Sequence, residues 1–137
     1  MTDDQWTYLD GYVRDLADRM GLRDWRVMLS REPCDQDDRA DAKSFLRNAA
    51  NQSTIYLAEK FADETAIEQR ETLVHELIHP HFNRQDRVVD MYEDYVPRIV
   101  WETIHKQYRE TQDVAVESLV WLIAPFMPPC ELPREES

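Results

Sequence analysis

The sequence predicts a small α+β domain, and three observations carry that prediction. An amphipathic helix opens the chain, three short strand-like segments follow, and the remainder is largely helical in its periodicity. A chain of 137 residues is long enough for one core but not for two. No internal repeat or linker divides it, so residues 1–137 are read as one domain with an extended tail from about 125.

Thr2 and Gln5 fit a capping box, after which Trp6, Leu9, Val13, Leu16 and Met20 recur at helical spacings until Gly21 stops the helix. "WRVMLS" then alternates Trp25, Val27 and Leu29 against Arg26, Met28 and Ser30, the pattern of a half-buried strand. Residues 31–43 are polar and contain Pro33, so they are expected to form a loop. "SFLRN" and "STIYLA", joined by "AANQ", read as a hairpin. Thr65 and Glu68 form a second capping box, opening a helix with Ile67, Leu73, Val74, Leu77 and Ile78 on its inner side. A polar break, "NRQDR", follows Phe82, and helix is then expected to about Ala124, with Pro97 starting a new segment. "DVAVESLVWLIA" is apolar almost all round, as in a buried central helix. "PFMPPCELPREES" carries four prolines and is expected to be extended or frayed.

A net charge of −12 argues against nucleic acid and anionic membrane as partners, because both are polyanions. It leaves room for an acidic surface that imitates DNA. The N-terminal residues lack the basic start and apolar run of a signal peptide, and no apolar stretch is long enough for a membrane span. Cys34 and Cys130 are isolated, which suits reduced thiols. Together these features predict a soluble cytoplasmic protein.

"HELIHPHF", residues 75–82, carries the chemistry. His75 and His79 are one helical turn apart, so both can present a ring nitrogen to one tetrahedral ion. Glu76 projects about 100° round from His75, close to such an ion but not bound to it. This is the H-E-x-x-H arrangement of zinc peptidases, in which the glutamate takes a proton from a water held by the ion and passes it to the leaving amine. Pro80 ends or kinks the helix near His79, so His81 is expected to be a surface residue rather than a ligand.

A catalytic zinc needs a third protein ligand. Asp86, Asp90, Glu93, Asp94, Glu102 and Glu110 sit in polar surroundings and read as solvated. Asp113 and Glu117 lie one turn apart among apolar residues, which suggests a ligand and a carboxylate that orients a histidine.

On these motifs the chain resembles the small gluzincin-type H-E-x-x-H metallopeptidases, and more narrowly the ImmA/IrrE-like and phage-encoded metallopeptidases. The resemblance covers most of the chain: the first helix, "WRVMLSREP", "STIYLAEKF", "HELIHPHF" and "DVAVESLVWLIAPFMP". It implies a minimal zincin-like fold, a Zn2+ cofactor, and a bacterial or phage-infected host cell as the setting. In that family the second motif is Glu-x-x-x-Asp or Glu-x-x-x-Asn, with the glutamate as ligand. "DVAVE" keeps the spacing but puts Asp113 in the ligand place and Glu117 in the supporting one. Register favours Asp113 as ligand, whereas ligand type and apolar setting favour Glu117. The resemblance also implies that "STIYLA" is an edge strand that pairs with extended substrate.

Two functional expectations follow. The first is a zinc peptidase that cuts a specific protein, with a repressor or other regulator as the natural substrate. The second is a catalytically silent acidic binding or regulatory protein on the same scaffold, engaging a basic partner.

Overall fold

The computed structural model describes residues 1–34 and 41–134. Helix α1 spans Asp3–Arg19 and is closed at its start by the expected box. Thr2 Oγ1 accepts from the Gln5 amide at 3.2 Å, and Gln5 Oε1 accepts from the Thr2 amide at 3.0 Å. Its inner face buries Leu9, Tyr12, Val13, Leu16 and Ala17, and Gly21 leaves the helix with φ of 78°.

Three strands follow: β1 (Arg26–Ser30), β2 (Ala42–Arg47) and β3 (Gln52–Leu57). The polar loop expected at 31–43 gives way to β2 at Ala42, and its residues 35–40 lie outside those described. β2 and β3 form the predicted antiparallel hairpin, with Ser44 opposite Ile55. The sheet order is β1-β3-β2, with β1 parallel to β3. "STIYLA" is therefore the central strand and not an edge. The hairpin leaves one side of β3 open, and β1 fills it.

Helix α2 (Ala66–Ile78) starts at the Thr65–Glu68 box and buries Leu73, Val74, Leu77 and Ile78. Ile67, expected on the inner side, is 60% exposed because it sits in the first turn, before the helix reaches the core. These residues share one apolar cluster with Leu9 and Leu16 of α1, Ile55 of β3, and Val116 and Val120 further on. Pro80 has no N–H to give to the turn before it, and His79–Phe82 tightens into a 3₁₀ segment.

"NRQDR" is not a break. It opens helix α3 (Asn83–Met91), whose one buried residue is Asp86 and whose exposed residues include Val88 and Met91. Pro97 caps helix α4 (Arg98–Ile123). The apolar half of α4 is not buried all round: Gln112, Val116, Val120 and then Ala124 form a buried line, while Val114, Leu122 and Trp121, 74% exposed, face outward. α4 packs against α2, and Asp86 of α3 bonds to its Tyr108 and Gln112.

The C-terminal tail is extended as expected, but as far as it is described it is docked rather than frayed. Tyr12 donates its hydroxyl to the Pro128 carbonyl at 2.7 Å, and Gln5 Nε2 donates to the Pro133 carbonyl at 2.8 Å. The Glu131 amide donates to the Tyr8 hydroxyl. Cys130 is fully buried there, and burial pushes its thiol up to about 11. No helix among the described residues is long and apolar enough to cross a membrane.

Candidate active site

His75 of α2 lines an open groove of about 620 Å³, and His79 follows one turn later, at the start of the 3₁₀ segment. The Nε2 atoms of His75 and His79 lie 3.3 Å apart, with the rings inclined edge to face. Two nitrogens each about 2.05 Å from one ion, at a tetrahedral angle, stand about 3.3 Å apart. The pair is thus spaced as a tetrahedral zinc requires. Burial lowers the basicity of His79, the nearby Glu76 carboxylate offsets this in part, and His75 adds to the lowering. The ring is therefore biased toward the neutral form that binds metal.

Glu76, one residue past His75, is only 5% exposed. Its Oε2 accepts from the Ser44 hydroxyl of β2 at 2.5 Å. Glu76 and His75 line the groove wall together. Ser44 was not anticipated. The available signal was its alternation with Ala42 and Leu46 on the inner face of β2, where a hydroxyl needs a partner.

Neither carboxylate proposed as third ligand is buried, contrary to the expected all-round burial of α4: Asp113 and Glu117 are both exposed. The two differ in position. Glu117 lines the groove with His75 and Glu76, whereas the charge of Asp113 acts on His79. Among the described residues, no three His, Cys, Asp or Glu side chains are gathered closely enough to hold a metal. The two histidine nitrogens are spaced to fit zinc, and Glu117 of α4 lines the same groove as His75. His81 is exposed and stands apart from the groove lining, as its position after Pro80 suggested.

Asp86, expected to be solvated, is instead a buried carboxylate between α3 and α4. Its Oδ1 accepts from the Tyr108 hydroxyl at 2.6 Å and from Gln112 Nε2 at 2.8 Å. Gln112, 3% exposed, lies next to His79 and raises its basicity.

The groove has a strong charge bias. Glu64, Glu68, Glu71 and Glu117 line it with Glu76, while its lysine, Lys60, is paired with Asp41. Burial pushes the Glu64 carboxyl up, and the Asp41 charge adds to the push. No protein family matches this chain, and no curated protein or solved structure is detectably similar to it.

Proposed function

We propose that this protein is a zinc-dependent peptidase that hydrolyses a peptide bond in a specific protein substrate. The observation that carries the reading is the 3.3 Å separation of the His75 and His79 nitrogens beside a buried glutamate. His75, His79 and one of Glu117 or Asp113 would hold the ion. The shared groove wall supports Glu117, although the family register of the sequence supports Asp113. When bound there, zinc would supply Lewis acidity toward the scissile carbonyl and a water molecule.

Glu76 performs the proton transfers. With Oε2 fixed by Ser44, its other oxygen takes the proton of the attacking water and then delivers it to the departing amine. The carboxylate begins and ends the cycle in the same state. Because β3 is central, the strand available to align an extended substrate is β2, whose first residue, Ala42, borders the groove. The acidic walls favour cationic over anionic segments near the scissile bond. A regulatory protein as substrate rests on the resemblance to the ImmA/IrrE-like peptidases.

The alternative, an acidic binding protein on the same scaffold, draws support from exposed Val88, Met91, Tyr92, Tyr95 and Ile99, which are grouped around the α3–α4 junction. One substitution separates the two. Glu76→Gln keeps the side-chain size and a hydrogen-bonding oxygen for Ser44 but removes the base. Peptide hydrolysis should fall at least ~10²-fold, with about one zinc per chain and the melting temperature retained. Full biological effect in Glu76→Gln would overturn the peptidase in favour of the binding protein. Protein purified without chelator that neither contains nor takes up zinc would also end the peptidase reading.

A further inference from the structure

We propose that the outward face of the three-stranded sheet docks single-stranded nucleic acid, with Arg26 and Arg47 on its phosphates and Phe45 and Tyr56 against its bases. The proposal stands apart from the peptidase reading and uses none of its residues. Side chains alternate between the two faces of a sheet, and the register decides which of them share one. Ser53, Ile55 and Leu57 of β3 are buried, and Val27 and Leu29 of β1 pack against the same core. Ser44 of β2, opposite Ile55, bonds to Glu76 of α2, so this is the face turned to the helices. The alternate residues look the other way. None of them is buried, and Phe45 is 63% exposed.

On that outward face the charge is the reverse of the whole chain's −12. Arg26, Gln52 and Arg47 form one row across the strands, which sets the two arginine backbones about 10 Å apart. Lys43 stands beside Tyr56 at the other end, and Phe45 lies between, diagonal to Tyr56 at about 7–8 Å. No outward position of the three strands carries a carboxylate. Elsewhere Arg19, Arg31, Lys60 and Arg98 are each paired with an acid. The guanidinium groups of Arg26 and Arg47 have no ion pair or hydrogen bond among the described residues.

Free arginines select an anion, and accessible rings between them select one that carries flat groups. A single strand offers both, as phosphates and unstacked bases. An acidic peptide would use the arginines and leave the rings idle. A duplex keeps its bases stacked on one another and leaves them idle too. The net charge of the chain repels a polyanion, but at ~0.1 M salt charges beyond about 10 Å are largely screened. Repulsion therefore weakens binding without moving it from a face that lacks acids.

The test is fluorescence anisotropy of labelled oligothymidine and oligouridine, about a dozen nucleotides long, titrated with the full chain. Both should bind at about 50 mM salt and loosen at about 200 mM. Arg26→Gln and Arg47→Gln should each weaken binding several-fold and reduce the slope of log affinity against log salt by about 0.7, one phosphate's share. Phe45→Ala should weaken binding about 10-fold with that slope unchanged, which separates stacking from charge. All three positions are exposed, so melting temperatures should stay at the wild-type value.

No binding of either oligonucleotide at the lower salt would overturn the proposal. So would Phe45→Ala that binds as tightly as wild type. A polyglutamate peptide that competes as well as the oligonucleotides would reassign the face to acidic proteins. Salt-sensitive self-association that Arg47→Gln abolishes, without oligonucleotide binding, would reassign it to a second copy of the chain. Either result overturns the nucleic-acid reading, and neither depends on zinc or on hydrolysis.

Discussion

In the apolar cluster, α2 gives Leu73, Val74, Leu77 and Ile78 to a core shared with α1 and the sheet, and all four are buried. Where α3 meets α4 the buried groups are instead Asp86 and Gln112, joined to the half-buried Tyr108 by directed hydrogen bonds. The first region depends on volume and has no preferred direction, so it can be repacked. The second depends on donor and acceptor direction, so each member fixes the next. Stability belongs mainly to the first region, and the second ties α3 to α4.

The largest effect that could break this contrast is a cavity. Leu77→Ala should lower the unfolding free energy by about 2–5 kcal/mol in chemical denaturation, while Leu77→Met should cost less than about 1.5 kcal/mol. Equal losses in the two variants would mean that the apolar side is as directional as the polar one.

Asp86→Ala comes next. It leaves the Gln112 amide and the Tyr108 hydroxyl short of an acceptor, which should cost about 1–3 kcal/mol by the same measurement. A loss below that of an ordinary surface substitution would show that the network is already shared with water.

A pH series sharpens the comparison further. Burial depresses the basicity of His79 in the folded state, so just below its ordinary value of 6.5 the unfolded chain binds more protons. The stability of metal-free protein should therefore fall as the pH drops through that window. His79→Gln should flatten the slope, and an unchanged slope would assign it to another group.

The smallest expected stability effect lies on exposed α4, where Glu117→Ala and Asp113→Ala should each stay within about 0.5 kcal/mol of wild type. Their zinc affinities should differ sharply. If the groove wall decides, Glu117→Ala abolishes tight binding and Asp113→Ala only weakens it. The opposite ranking would make Asp113 the ligand.

The sequence revealed elements whose signal is local and left hidden those whose signal is relational. Both capping boxes, the Gly21 stop and the hairpin are encoded within a few residues, and each is found where it was expected. The His75–Glu76–His79 set is equally local, because one helical turn brings it together. Strand order is different. That β3 is central depends on where β1 returns, and nothing within "STIYLA" records it. Asp86 was misread for a related reason: its neighbours in sequence are polar, but its neighbours in space are Tyr108 and Gln112 of another helix. Gln112 itself left a trace, as the polar member of a line completed by Val116 and Val120. The burial of "DVAVESLVWLIA" was overestimated because composition reports how apolar a helix is, not how many neighbours arrive to cover it.

The hairpin turn reaches further than its size suggests. Asn51 holds a left-handed conformation, φ 49°, which asparagine tolerates better than most residues, and it closes the short 3₁₀ turn at Asn48–Ala50. That turn sets the pairing of β2 with β3, and side chains alternate between faces with a period of two. Shifting β2 by one position would present Lys43 or Phe45 to Glu76 in place of Ser44. One residue inserted between Arg47 and Gln52 could thus give the glutamate a cation or a benzene ring for company, with every groove residue still encoded.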